Sequence, residues 1–503
     1  MADEEKPAAK ADHEPPPGAE TTSTWTGGPE PLDYTASAKW LVLRKKEKPS
    51  AEIFSVSYLA QGAQPGRPVM FVFNGGPGAS SAFLHLGAVG PQRVSFPADG
   101  TLPEMPPQLV QNEASWLGFA DLVFVDPVGT GFSRVIENEQ DAATAKDGKD
   151  QKKPDATDPQ EYFGQKRDLE SLCEFMGRWL SDHDRWGSPV FIAGESYGGY
   201  RVGRLVRMLQ ETTGIGLNGA ILISPALEIT PLVPTDYDVL GWVDVLPTMA
   251  AAAAYHGRSR AAAAGGPLDD LLGEAEEFAT GDYASLLTRG AASSPKERKR
   301  VLSKLADLVG LPVDLVTRAE GRITMRTFAR ELLRDERKVL GLYDSTITVT
   351  DPFPDRESFS GPDPTLSGIS PAYTMAINRQ LRSEIGVETD REYAVLSLEV
   401  NSAWKDDANT HFFNVPVGAT DDFRYGMSLN PHMKAFITHG RYDLVTPYYS
   451  SDRLRNLMRL DPAMADRLTI SHFGGGHMFY AWEASRQAFT DAIAAFVDGA
   501  RPG

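Results

Sequence analysis

The sequence has almost no cysteine and no long apolar run. Its single cysteine, Cys173, cannot form an intrachain disulfide, so nothing requires an oxidising compartment, and its apolar helical surroundings indicate a buried, inert thiol. No apolar stretch approaches the roughly 20 residues that a membrane-spanning helix needs. Residues 1–7 lack the basic and apolar regions of a secretory signal. These absences predict a soluble, cytoplasmic protein, or a periplasmic or secreted one only if a leader is missing.

The chain also lacks an excess of positive charge. It has 50 Lys and Arg against 68 Asp and Glu, a net charge of -18. Phosphate backbones and anionic lipids both attract basic surfaces, so the charge argues against nucleic acid and membrane partners. The 503 residues suffice for one large catalytic domain with an inserted subdomain, or for two domains. The sequence does not indicate an oligomeric state.

Composition along the chain predicts its organisation. Residues 1–31 contain few large apolar residues, and we expect a disordered N-terminal segment there; the polar residues 138–160 predict a loop. Alternation at 51–58 predicts a half-exposed strand. Apolar spacing predicts helices at 165–181 and 199–209. Apolar runs predict buried strands, in chain order, at 68–73, 120–125, 189–193, 219–224, 433–438 and 467–471.

Strands that alternate with helices predict an α/β protein with a mostly parallel central sheet. The pattern is interrupted between 232 and 365, where the sequence is Ala-rich and helical without a strong strand. We therefore expect a catalytic domain formed by residues 32–231 and 366–503. Residues 232–365 are expected to form a helical cap or lid.

The segment at 194–198, Gly-Glu-Ser-Tyr-Gly, is the most informative in the chain. It lies between a predicted buried strand and a predicted helix. A strand, Gly-x-Ser-x-Gly and a helix form a nucleophile elbow, a sharp turn that exposes the serine hydroxyl and needs small flanking residues. We therefore predict that Ser196 is a catalytic nucleophile. The alternative is a Gly-rich turn with an incidental serine.

The last two predicted strands are followed by candidates for a general base and its carboxylate partner. Ligands of open α/β sheets bind beyond the carboxyl ends of strands. Asp443 follows one of these strands and His477 follows the other. The order Ser196, Asp443, His477 is that of an α/β-hydrolase triad, in which aspartate orients the histidine base. His439 and His472 also lie near strand ends, and we expect both to be structural.

Acyl transfer further needs N–H donors aimed at the developing oxyanion. One is the amide of Tyr197, directly after the nucleophile. The other is expected from residues 74–78, Asn-Gly-Gly-Pro-Gly, which follow the first buried strand. Glycines there let backbone amides approach the substrate oxygen.

Four segments together resemble the motifs of serine carboxypeptidases, which have an α/β-hydrolase fold. They are the substrate-binding loop at 73–81 (FNGGPGASS), a second loop at 126–133 (DPVGTGFS), the elbow at 194–199 (GESYGG) and the histidine loop at 475–478 (GGHM). The resemblance covers about 65–225 and 430–480, and more loosely 370–405.

This resemblance implies a serine-type carboxypeptidase that removes residues from the free C-terminus of a peptide through an acyl-enzyme. We expect no cofactor and no metal. A carboxylate beside the substrate carboxylate repels it unless one of the two is protonated, which implies a preference for acid conditions. Beyond the triad, the resemblance assigns oxyanion donors to Gly76 and Tyr197, terminal-carboxylate ligands to Asn74 and Glu195, and a wall of the leaving-residue pocket to Met478.

The sequence departs from the family at three positions. Ala88 stands where a second glutamate is usual, so half of the acidic network is missing. Ala79 and Thr446 stand where cysteines are usual. The lost cysteines suggest a disulfide-free member that resembles bacterial relatives.

Two alternatives use the same residues differently. An esterase or acyltransferase could carry the same triad. A non-enzymatic binding protein on this fold is disfavoured, because every triad position is filled.

Overall fold

The computed structural model describes residues 13–62, 66–136, 159–264, 266–359, 361–405 and 418–501. A ten-stranded sheet forms the centre, in the order β1-β2-β3-β7-β4-β9-β10-β13-β14, with β8 paired to β3. β5 pairs with β6, and β11 with β12, in two small separate sheets. The strands are β1 Ala19–Trp25, β2 Leu32–Lys45, β3 Lys48–Ala60, β4 Val69–Phe73, β5 Gln92–Val94, β6 Leu109–Gln111, β7 Asp121–Asp126, β8 Arg134–Val135, β9 Val190–Glu195, β10 Gly219–Ile223, β11 Lys338–Leu340, β12 Thr348–Thr350, β13 Lys434–Gly440 and β14 Leu468–Phe473.

The six strands from β7 to β14 in this order are parallel, and β1, β2 and β3 add an antiparallel edge. The predicted mostly parallel sheet is therefore confirmed. Side chains alternate between two apolar cores: in β4, Phe71 and Phe73 lie in one core, and Met70 and Val72 in the other. Because both faces are covered, these strands read as continuous apolar runs.

Helices cover the two faces of the sheet. The helix predicted at 165–181 is confirmed as Gln165–Asp182, and the one predicted at 199–209 begins earlier, at Tyr197. The α-helices are Ala82–Leu84, Gln165–Asp182, Tyr197–Met208, Leu240–Tyr255, Leu268–Phe278, Ala284–Arg289, Pro295–Val309, Val313–Arg318, Met325–Glu331, Pro364–Arg379, Leu398–Ala403, Thr420–Leu429, Tyr448–Leu457, Pro462–Ala465 and Glu483–Gly499.

The prediction of disorder through residue 31 was wrong for the part that the structure describes. β1 pairs with β2 over seven residues, and the indole of the buried Trp25 donates to the Asn112 carbonyl at 2.8 Å. Edge pairing uses backbone groups and needs few apolar side chains, so composition alone does not reveal it. Residues 1–12, and residues 138–158 of the predicted loop, lie outside the described residues.

The strand predicted at 51–58 is confirmed as part of β3, but the expected half-exposure was wrong, because β3 is buried on both faces there. Its polar residues have partners inside the protein. Ser57 accepts a hydrogen bond from the Trp179 indole at 3.1 Å, and Glu52 pairs with Arg391 and with His13. Satisfied polar groups can thus alternate with apolar ones in a buried strand.

The described residues between Leu240 and Leu333 are mostly helical and supply most of a third apolar core, which also contains Leu340, Leu342 and Leu444. One buried contact ties this region to the rest of the protein. Asp244, on Leu240–Tyr255, pairs with Arg453 at 2.6 Å. The domain boundaries given above stay a prediction.

Candidate active site

Ser196 lies in the sharp turn between β9 and the helix Tyr197–Met208. Its backbone has φ 61 and ψ -123, a strained conformation for a residue other than glycine. A Cβ atom on Gly194 would overlap the carbonyl of Gly198, so this approach of strand and helix requires glycine. Ser196 is partly exposed, while its neighbours on both sides are buried.

His477 and Asp443 form a buried pair. The imidazole Nδ1 lies 2.6 Å from Asp443 Oδ2. The other carboxylate oxygen, Oδ1, accepts the amides of Val445 at 2.8 Å and Thr446 at 3.1 Å. Burial by itself disfavours the imidazolium, but the charge and hydrogen bond of Asp443, together with the charge of Glu195, raise the pKa of His477 above its ordinary value of 6.5.

Two hydroxyl groups connect this pair to the sheet. Thr446 Oγ1 lies 2.6 Å from Asp443 Oδ2 and 3.0 Å from the carbonyl of Ser224. Ser224 Oγ donates to the His477 carbonyl at 2.9 Å. Ser224 follows β10, whose last residue is in register with Glu195 at the end of β9. The histidine loop is therefore attached to the strand beside the one that carries Ser196.

The other two histidines are engaged elsewhere. His439 is buried, with Nδ1 3.0 Å from the Thr446 carbonyl and Nε2 2.8 Å from Ser451 Oγ. His472 Nε2 lies 2.9 Å from Asp452 Oδ2. Neither histidine contacts Asp443 by hydrogen bond in the described part of the chain.

The loop after β4 packs directly on the elbow. A Cβ atom on Gly75 would overlap the backbone nitrogen of Tyr197, so only glycine permits this approach. Gly76 follows with φ 96. Among the described residues, neither the Gly76 amide nor the Tyr197 amide donates to a backbone carbonyl. Both N–H groups are thus free to bind a substrate oxygen.

Glu195 is buried next to Ser196, with 2% of its surface exposed. The side-chain amide of Asn74 donates to Oε2, and the Tyr480 hydroxyl lies 3.0 Å from Oε1 and 3.1 Å from Oε2. Burial raises the pKa of this carboxyl to about 7, although nearby His477 and both donors lower it. Met478 is nearly buried in the apolar core that also contains Tyr480.

Sequence reasoning missed a buried ion pair next to the loop at 74–78, which follows β4. Arg201, on the elbow helix, donates to Asp168 at 2.7 and 3.1 Å and to the Asn74 carbonyl at 2.8 Å. It joins three elements that must keep their relative positions. Arg201 falls in the i, i+4 row of Leu205 and Leu209, and a charge on that apolar face was a usable signal.

A second missed group supports the histidine loop from residues 342–346, inside the region expected to form the cap. The Tyr343 carbonyl accepts the His477 amide at 2.5 Å, and its ring lies edge-on to the imidazole. Asp344 Oδ2 accepts the Gly476 amide at 3.0 Å, and burial raises the pKa of Asp344 to about 6. Thr446 was a third omission, noted only as a missing cysteine. No motif in the sequence marks Tyr343 or Asp344.

The described residues show neither a metal-binding cluster nor a membrane-spanning helix. They contain no group of three or more His, Cys, Asp or Glu side chains that could hold a metal ion. None of their helices combines the length and apolar character needed to cross a membrane. Cys173 is buried, as expected, and burial raises the pKa of its thiol to about 12.

Comparison with known proteins gives a family match over part of the chain and a fold for most of it. Residues 34–249 match the model of the serine carboxypeptidase family. Serine carboxypeptidase-like 36 of Arabidopsis thaliana is 32% identical over 185 residues, which are 35% of this chain and 32% of that protein. The pheromone-processing carboxypeptidase of Sclerotinia sclerotiorum is 31% identical over 145 residues, 27% of this chain and 18% of that protein. The chain thus spans about a third or less of the length of these relatives.

Among solved structures, a prohormone-processing carboxypeptidase from Saccharomyces cerevisiae superposes with a TM-score of 0.56 at 14% identity, covering 92% of this chain and 91% of that one. This likeness and the strand order confirm the predicted α/β-hydrolase fold. The chain therefore has an α/β-hydrolase fold, and its residues 34–249 match the serine carboxypeptidase family.

Proposed function

We propose that the protein is a serine-type carboxypeptidase that releases C-terminal residues from peptides through an acyl-enzyme. The observation that carries the proposal is Glu195, a buried carboxyl beside Ser196 with a pKa near 7. A group that holds a proton near neutral pH can donate it in a hydrogen bond to a terminal carboxylate. An esterase of neutral substrates has no use for such a group.

The geometry supports a specific course of reaction. Asp443 holds Nδ1 of His477, so that Nε2 is left to take the proton of Ser196 Oγ. The serine oxygen attacks the last peptide carbonyl, and the amides of Gly76 and Tyr197 stabilise the oxyanion. His477 then gives its proton to the leaving amino group. Water, activated in the same way, attacks the acyl-enzyme and releases the shortened peptide.

We assign recognition of the leaving residue to the side chains around Glu195. Asn74 is fixed there, because its Oδ1 accepts the Leu84 amide at 2.9 Å and its Nδ2 therefore faces Glu195. We assign the terminal carboxylate to Asn74 and the protonated form of Glu195, and a wall of the pocket to Met478. Membership of a bacterial disulfide-free branch and a cytoplasmic location stay predictions.

A pair of matched peptides tests the proposal. A blocked dipeptide with a free C-terminus should have a kcat/KM about 10- to 100-fold higher than its C-terminal amide, because a hydrogen bond to a charged group contributes about 1.5–3 kcal/mol. Steady-state release of the terminal residue measures both constants. A simple ester without a terminal carboxylate serves as control. Equal rates on free and amidated peptides, or turnover of esters only, would instead indicate an esterase or acyltransferase.

The activity should depend on pH through Glu195 and His477. Burial raises the pKa of Glu195 to about 7. Below that pH the carboxyl is protonated and donates to the substrate, and above it the ionised group repels the substrate. We expect KM for the free peptide to rise above this pH, by up to about tenfold per pH unit. At acid pH kcat should fall, because Asp443 raises the pKa of His477 and the base becomes protonated.

Separate pH profiles of kcat and KM between about pH 5 and 9 check this expectation. The amidated peptide is the control, since it has no carboxylate for Glu195 to repel. Its KM should not rise at alkaline pH. A KM for the free peptide that stays constant from acid to alkaline pH would contradict the role given to Glu195.

A further inference from the structure

Tyr480 is the neighbour of Glu195 that lies within hydrogen-bond distance of both carboxylate oxygens, at 3.0 and 3.1 Å. It is fully buried, three residues after His477. Its ring packs on the turn His85–Val89, where a Cβ atom on Gly87 would lie only 2.6 Å from the ring carbon Cε2. The hydroxyl therefore has little freedom to leave Glu195.

The other groups around Glu195 do not duplicate this contact. Asn74 donates to one oxygen. In the described part of the chain, no lysine or arginine forms an ion pair with Glu195. Ala88, in the segment His85–Val89, is buried and has no polar side-chain atom that could contact Glu195. Five titratable groups interact with Glu195 electrostatically or by hydrogen bond: His477, Asp443, Tyr480, Tyr343 and Tyr373.

We propose that Tyr480 is a positioning residue that sets the upper pH limit at which the enzyme accepts a free C-terminus, by controlling how firmly Glu195 holds its proton. The inference rests on the proposed function. A phenol in this buried place stays protonated, because burial raises its pKa well above 10. It thus donates to Glu195 at every working pH and stabilises the ionised carboxylate more than the protonated carboxyl.

Removal of this donor should therefore extend activity toward alkaline pH. In Tyr480→Phe the ring and its packing remain, but the ionised form of Glu195 loses a hydrogen bond. We expect the rise of KM with pH to begin about one pH unit higher than in the parent. At pH 6, where Glu195 is mostly protonated in both proteins, kcat and KM should both stay close to the parent values.

Tyr373→Phe is the matched control. Tyr373 is equally buried, and its hydroxyl lies near the same Gly87 position, but it has no hydrogen bond to Glu195 among the described contacts. Its pH profile should coincide with that of the parent. If Tyr480→Phe lowers activity on the free peptide by the same factor at every pH, without moving the pH at which KM begins to rise, Tyr480 has a packing role only. This result would overturn the proposal.

A measurement that needs no turnover separates this inference from the proposed function. Because the pKa of folded Glu195 is raised above its ordinary 4.5, the folded protein binds the proton more tightly, and the contribution of Glu195 to stability falls as pH rises from about 4.5 to 7. In Tyr480→Phe this fall should continue to higher pH, as measured by urea unfolding.

The same substitution in a Glu195→Gln background completes the test. There the effect of Tyr480→Phe on stability should be independent of pH, because the titrating group has been removed. A pH-dependent effect that persists in this background would overturn the proposal, and so would a pH-independent effect with Glu195 present. These stability measurements test the role of Tyr480 whether or not the protein cleaves peptides.

Discussion

The variant Ser196→Ala is expected to lose about six orders of magnitude in kcat on a blocked dipeptide with a free C-terminus. Without the hydroxyl no acyl-enzyme can form, and His477 has no nucleophile to deprotonate. The free amides of Gly76 and Tyr197 remain, so the residual rate should still exceed that of water alone by about 10³–10⁴. Binding should survive, and the loss should appear in kcat rather than KM.

The control for this variant is Ser428→Ala. Ser428 is exposed and contacts only the Tyr425 carbonyl of its own helix among the described contacts. An organophosphonate that reacts with activated serines should label the parent and Ser428→Ala stoichiometrically, and Ser196→Ala not at all. Mass spectrometry measures both outcomes. Labelling of Ser196→Ala, or turnover close to that of the parent, would mean that another residue is the nucleophile.

The parallel strands could be predicted from the sequence because burial on both faces leaves a plain apolar run. β4 was expected at 68–73 and lies at Val69–Phe73, and β10 was expected at 219–224 and lies at Gly219–Ile223. β1 could not be found in this way, because its Thr-rich residues are mostly exposed and its backbone pairing supplies the stability. The burial of β3 was not predicted either, because its polar side chains suggested an exposed face, whereas they have partners inside the protein.

The residues of the candidate triad were proposed because they follow strand ends, which a parallel sheet gathers at one edge, and their catalytic roles stay a prediction. The residues that hold this site in place could not be predicted from the sequence, because each of them contacts a partner that is distant in the chain. Tyr480 and Glu195 are 285 positions apart, and Asp344 and Gly476 are 132 apart. Such pairs arise from how loops pack, and no local spacing records them. The bidentate partner of Arg201 is 33 positions away, on another helix.

The second large effect is expected for Asp443→Asn, which should lower kcat about 10⁴-fold with little change in KM. The orientation of the new side chain follows from the present contacts. Its oxygen will keep the amides of Val445 and Thr446, which now bind Oδ1 at 2.8 and 3.1 Å. The NH₂ group must then face Nδ1 of His477. A donor at that position forces Nδ1 to accept, so the proton moves to Nε2 and the histidine can no longer take the proton of Ser196.

Asp452→Asn provides a matched control, because Asp452 also pairs with a histidine, at 2.9 Å from His472 Nε2. It should leave kcat within about twofold of the parent, since surface changes away from the reacting groups usually have small effects. Thermal unfolding of both variants excludes a general loss of structure. Equal losses in the two variants, or a kcat of Asp443→Asn close to the parent value, would contradict the pairing of Asp443 with the catalytic base. If only Asp443→Asn is impaired, the tautomer of His477 is what the carboxylate controls.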